Sequence, residues 1–126
     1  MSARAGSVDP KLREVAVRLG REIPLRLIVL FGSTVRSDRS PEDLDLAVLG
    51  DEPVDSVALT NRFAVALGRS DVDLVDLRRA DPLLQMQVAE HGVPLYESAL
   101  GAFASFVSLA FRRFQDTRKL REVGSR

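Results

Sequence analysis

The stretch LIVLFGSTVRSDRSPEDLDLAVLG, Leu27 to Gly50, decides how this chain is read. An apolar run ends at Gly32-Ser33, ten residues intervene, and Asp43-Leu44-Asp45 follows. From Leu25 to Phe31 the residues are almost continuously apolar, which predicts a strand covered on both faces. After the turn, Ser40-Pro41-Glu42-Asp43 has the form of a helix start, with a serine cap and proline at the first position. The residues beyond it disagree. Leu44, Leu46 and Val48 alternate with Asp45, Ala47 and Leu49, a period of two that predicts a strand over 43–49. Gly50 arrives too soon for a helix of ordinary length.

Working outward, Asp9-Pro10 opens a helix to about Arg21, with Leu12, Val15, Ala16 and Leu19 at core spacing. Residues 1–8 read as a loose terminus. Asp55 to Leu67 carries apolar residues at Val57, Phe63, Ala64 and Leu67 and ends at Gly68, a second helix. Asp71 to Leu77 reads as a third strand. Asp81-Pro82 opens a helix that ends near Gly92, and Val93 to Tyr96 is a short strand. Leu100, Phe103, Phe106, Val107, Ala110 and Phe114 mark one face of a long last helix, residues 99–121. The whole chain, 1–126, is expected to be one domain of class α+β, a small mixed sheet flanked by helices.

Hydrophobic residues make up 45% and charged residues 29%, a globular balance. The formal net charge is zero, which hides an asymmetry. Residues 111–126 hold six lysines and arginines against Asp116 and Glu122, so that segment is net +4 and the rest is net −4. An acidic body argues against general nucleic-acid binding. There is no cysteine, which excludes disulfides and thiolate metal sites. No apolar run reaches the length of a membrane span, and MSARAGSVDP lacks an apolar signal core, so a cytoplasmic location is the expectation.

The carboxylates carry the chemistry. Residues two apart in a strand share a face, so Asp43 and Asp45 are expected to point the same way while Leu44 and Leu46 enter the core. Two like charges this close repel unless a cation lies between them. Hard oxygen ligands without histidine or cysteine suit Mg²⁺ or Mn²⁺, whose shell is completed by water and substrate phosphates. Asp73, inside the third strand, can join them if the strands are neighbours. Three acids can hold two metals roughly 3.5–4 Å apart for nucleotidyl transfer, and Asp73 is placed to take a proton from an attacking hydroxyl. Asp71 and Asp76 are weaker candidates, because each sits near a strand end where solvated acids are ordinary. Gly32 allows a sharp turn and close approach to a ligand. Ser33 adds a hydroxyl where backbone N–H groups can meet phosphate, and Arg36 adds a positive charge.

This pattern, G-S-x10-D-x-D with a later strand acid, resembles the nucleotidyltransferase signature of the DNA polymerase β superfamily. The text FGSTVRSDRSPEDLDLAVLG and the small size are similar to the minimal nucleotidyltransferases, antitoxins encoded beside HEPN-domain toxins. The resemblance covers roughly residues 10–120. It implies a polymerase-β-like fold, metal ligation by Asp43, Asp45 and Asp73, and nucleotide binding by Gly32, Ser33 and Arg36. It also implies transfer of AMP from ATP, with Mg²⁺, to a tyrosine of a HEPN RNase toxin held in a hetero-oligomer. The chain departs from the family at Ser37, where glycine is usual, and at Glu42, where serine is usual. Two other readings are a non-catalytic antitoxin that occludes its toxin, and transfer to a small molecule. The chain has little beyond the minimal domain to build a small-molecule pocket. No GxxxxGK[ST] is present, which excludes a P-loop kinase. His91 reads as a helix-end cation, Tyr96 as a half-buried packing residue, and residues 103–121 as a partner surface.

Overall fold

The structure is a computed structural model that describes residues 8–32 and 43–124, with side chains followed to residue 118. In chain order the described elements are α1 (Pro10–Glu22), β1 (Leu25–Phe31), β2 (Leu44–Gly50), α2 (Ser56–Leu67), β3 (Val72–Asp76), α3 (Pro82–His91), β4 (Val93–Glu97) and α4 (Ala102–Gly124). The strands form one sheet in the order β3-β2-β1-β4. β1 runs antiparallel to β2 and β4, and β2 runs parallel to β3. The α+β class and mixed sheet expected from the sequence are what the chain forms.

The helices begin where short acids stand outside their first turn. Asp9, Asp55 and Asp81 each cap a helix by accepting a backbone N–H, from Lys11 at 3.0 Å, Ala58 at 3.1 Å and Leu84 at 2.8 Å. Proline follows the cap in α1 and α3, where its missing N–H costs nothing. Gly68 closes α2 in the left-handed conformation, at φ 67°. Glu97 does the capping for α4, accepting the Phe103 N–H at 3.0 Å.

The sheet is covered on both faces, which explains the unbroken apolar run of β1. On one face, Ile28, Leu30, Leu44, Leu46, Val48 and Leu74 pack under α1 and α2, against Leu19, Leu59 and Phe63. On the other, Leu27, Val29, Ala47 and Leu77 pack under α3 and α4, against Val88, Ala89, Phe106 and Ala110. Gln85, buried on α3, donates to the Leu77 carbonyl at 2.8 Å and ties that helix to the end of β3. Gly20 is a packing requirement of α1, because a Cβ there would lie 2.5 Å from the Tyr96 ring.

Two expectations need correction. Leu100 does not belong to the apolar face of the last helix; it precedes α4 in a turn and is fully exposed. Its helical spacing from Phe103 has no meaning outside a helix. Asp76 is not a solvated strand-end acid but is 5% exposed. Its Oδ2 accepts the Val54 N–H at 3.1 Å and its Oδ1 the Arg78 N–H at 3.0 Å. Those two bonds offset the burial of a charge.

Phe63 is fully buried at the meeting of α2 with the sheet. Phe63→Ala is expected to lower unfolding free energy by about 3–5 kcal/mol. Val57→Ala, 74% exposed on the same helix, is expected to stay within about 0.5 kcal/mol. Urea denaturation of both variants checks the contrast.

Candidate active site

Register across three strands assembles the site. Phe31 of β1 pairs with Asp45 of β2, and Asp45 pairs with Asp73 of β3. Side chains at paired positions stand on the same face. That face is the one covered by α3 and α4, since Asp45 and Asp73 are in phase with Ala47 and Leu77. The cover stops short of these strand ends: Ala47 is buried, Asp45 half-buried and Asp73 exposed. Asp43 sits one residue before β2, exposed, and in phase with Asp45.

Gly32 closes the site from β1. Its φ is 82°, in the region that favours glycine. A Cβ at this position would overlap the Asp45 carboxylate at Oδ2. The missing side chain thus permits the positive φ at the end of β1 and lets the backbone lie against the central acid. Ser33 and Arg36 lie outside the described residues, as do Ser37 and Glu42.

The carboxylate of Asp45 is held above its ordinary pKa. Burial is the main cause, followed by the charge of Asp73 and then that of Asp43. The sign of the linkage follows. A raised folded pKa means that the folded chain holds this proton more tightly than the unfolded chain. Ionisation of Asp45 thus costs stability as pH rises from 3.8 through the raised folded value, and the cost is complete above that value. Neighbouring Asp71 is handled differently. Its carboxylate meets Arg69 through two bonds, Nε to Oδ1 at 2.5 Å and a terminal nitrogen to Oδ2 at 2.7 Å. That contact lowers the Asp71 pKa. Among the described residues, neither Asp45 nor Asp73 has a lysine or arginine partner.

An acid pair left uncompensated while its neighbour is neutralised has the donor chemistry of a hard divalent cation site. Among the described residues no three carboxylate or imidazole groups lie close enough together to hold a metal ion. The register pair Asp45 and Asp73 suits a cation whose shell is otherwise water and substrate phosphates. The structure thus brings Gly32, Asp45 and Asp73 together and sets Asp43 at their edge. The sequence reading missed the contact of Gly32 with Asp45. Its signal was the paired register of the two strand ends, not either motif alone.

Two cavities flank the sheet at opposite ends. The larger, about 580 Å³, lies where β1 begins and β2 ends, lined by Leu25, Gly50, Val54 and Arg62 among others. It is far along both strands from the carboxylates. The second, about 410 Å³, lies beside Gly32 and Phe31, under α3 and Phe114. It is the cavity that adjoins the acids.

Residues 15–99 match the family described as "Polymerase beta, Nucleotidyltransferase". Protein adenylyltransferase MntA of Shewanella oneidensis is 43% identical over 76 residues, 57% of this chain. The matched segment spans about half the length of that curated relative, 54%. Among solved structures, a toxin–antitoxin complex with AMP-PNP aligns with TM-score 0.77 and 32% identity, over 88% of this chain and 93% of the other. A complex of the tri-AMPylated Shewanella oneidensis HEPN toxin with its MNT antitoxin aligns with TM-score 0.71 and 33% identity, over 89% and 91%. Among the described residues, no helix is long and apolar enough to cross a membrane.

Gly32→Ala is expected to cost about 1–2 kcal/mol from its positive φ and to displace Asp45 as well; thermal melting checks it. Asp76→Ala removes the acceptor of the part-buried Val54 and Arg78 N–H groups, for a cost of about 1–3 kcal/mol. Asp73→Asn, on an exposed side chain, is expected to change stability by no more than about 0.5 kcal/mol. Melts of this pair separate the structural acid from the site acid.

Proposed function

The chain belongs to the polymerase β nucleotidyltransferase family, and from that premise we propose that it transfers AMP from ATP to a tyrosine of a HEPN-domain RNase toxin and so silences it. The observation that carries this reading is the in-register pair Asp45–Asp73 laid against the backbone of Gly32. The relatives support it: one binds an ATP analogue, and one accompanies a toxin that bears AMP.

In this reading Asp45 and Asp73, with Asp43 at their edge, would hold Mg²⁺ or Mn²⁺, which would neutralise charge on the triphosphate. Gly32 lets backbone approach the phosphates, with Ser33 and Arg36 as further nucleotide contacts. Asp73, exposed on the outer strand β3, faces the incoming acceptor and takes its proton. The acceptor oxygen bonds to the α-phosphorus, the bond to the bridging oxygen breaks, and pyrophosphate leaves. The product is an AMP ester on the toxin. A single domain over 1–126 acting in the cytoplasm is part of this proposal. The last helix supplies the partner surface, residues 103–121. There exposed Leu109 shares one side of the helix with Arg112 and Arg113, an apolar and basic face for an acidic partner.

Intact-mass spectrometry of the neighbour-encoded HEPN protein tests the proposal. The partner is incubated with this chain, ATP and Mg²⁺. Mass steps of one or more AMP units are expected, reduced at least about 100-fold with Asp43→Asn/Asp45→Asn. An unmodified partner in a stable complex would instead assign the chain to neutralisation by occlusion.

A further inference from the structure

The larger cavity lies far from the carboxylates, and no step of the transfer uses it. Its volume of about 580 Å³ is within the range of binding pockets, roughly 300–1,000 Å³. Its floor is apolar, made by Ile23 and Leu25 where α1 passes into β1, by Val54 of the loop after β2, and by Leu59 of α2. Its rim is acidic. Asp51, Glu52 and Asp55 line it against one arginine, Arg62. That arginine is already paired with Glu22 of α1. Asp51 meets Arg26 at 3.5 Å, and the Asp55 side chain is occupied as the cap of α2. Glu52 is exposed and has no ion-pair partner among the described residues. An apolar hollow beside an unpaired acid suits an apolar side chain that stands near a lysine or arginine.

This chain carries such a pair on its own last helix. Phe111 of α4 is 39% exposed. Gln115 and Arg118 follow it by four and seven residues, so the three share one side of the helix. Leu109 stands two residues before Phe111 and so lies on the nearly opposite side, with Arg112 and Arg113. The charge agrees at the level of the whole chain, since residues 1–110 are net −4 and residues 111–126 net +4. The two surfaces do not meet within one molecule. The cavity belongs to the sheet face covered by α1 and α2, while α4 packs on the other face. Independently of the transfer reading, we propose that this cavity receives α4 of a second copy of the chain, with Phe111 on the apolar floor and Arg118 against Glu52. Arg118 stands two turns from Phe111, about 10 Å along the helix, so the ring fills the hollow while the guanidinium meets the rim. The contact joins two different surfaces. A pair of copies therefore keeps one cavity and one helix face free, and association extends beyond two copies unless it closes into a ring.

Sedimentation velocity of the full chain, from micromolar to millimolar concentration, tests the contact. At low salt the sedimentation coefficient is expected to rise with concentration, and the rise is expected to shrink in about 1 M salt. Phe111→Ser is expected to weaken association about tenfold. Glu52→Arg and Arg118→Glu, both on exposed side chains, are each expected to do the same. The double variant Glu52→Arg/Arg118→Glu is expected to recover most of the lost affinity, because it restores the pair with its signs exchanged. A merely structural effect of either change would not be repaired by the other. A chain that stays monomeric throughout overturns the proposal and leaves the cavity to an occupant other than this chain. Association that the single variants leave unchanged, or a double variant no tighter than the singles, overturns it as well. AMP transfer is read separately by mass spectrometry, so failure here leaves that reading standing.

Discussion

The structure depends on one close approach, the backbone of Gly32 against the carboxylate of Asp45. Any side chain at position 32 would overlap Asp45 Oδ2, so the β1–β2 pair can end this tightly only with glycine there. Parallel pairing then lays Asp73 beside Asp45. The fold thus holds two like charges on one face and leaves the first half-buried. Nothing in core packing requires that arrangement, and burial together with the charge of Asp73 raises the pKa of Asp45. In the proposed reaction a divalent cation at this pair would offset the repulsion.

The rest of the molecule is the support for this pair. Two helices cover each face of the sheet, and β1 at its middle is buried on both. Strand ends fixed by a rigid core hold a site more accurately than loops do. The neighbouring acids are each disposed of locally, Asp71 by Arg69 and Asp76 by backbone N–H groups. Asp45 and Asp73 have no such lysine, arginine or backbone partner among the described residues.

Much of this was legible in the sequence because local signals and tertiary needs agree. Asp9-Pro10, Asp55 and Asp81-Pro82 announce helices that form, and Leu25–Phe31 is the strand its composition predicts. The period-two run after Asp43 forms β2 at Leu44–Gly50. Other features depend on pairing and were not legible. The clash that reserves position 32 for glycine exists only once β1 and β2 are in register. Asp76 is in phase with Leu74 and so points into the first core, a parity that the sequence contained but its place near a strand end obscured. The cavity residues of α3 and Phe114 come from distant segments with no shared motif.

The central claim is that Asp45 is held at a cost that a cation relieves. The direct measurement is thermal unfolding of wild type and Asp45→Asn at neutral pH, first with EDTA and then with Mn²⁺ and ATP. Without cation the variant should be the more stable by about 1 kcal/mol or less, roughly a few degrees. With Mn²⁺ and ATP, wild type should gain stability and the variant should gain little. Wild type being the more stable protein in EDTA, or equal gains for both, would contradict the account.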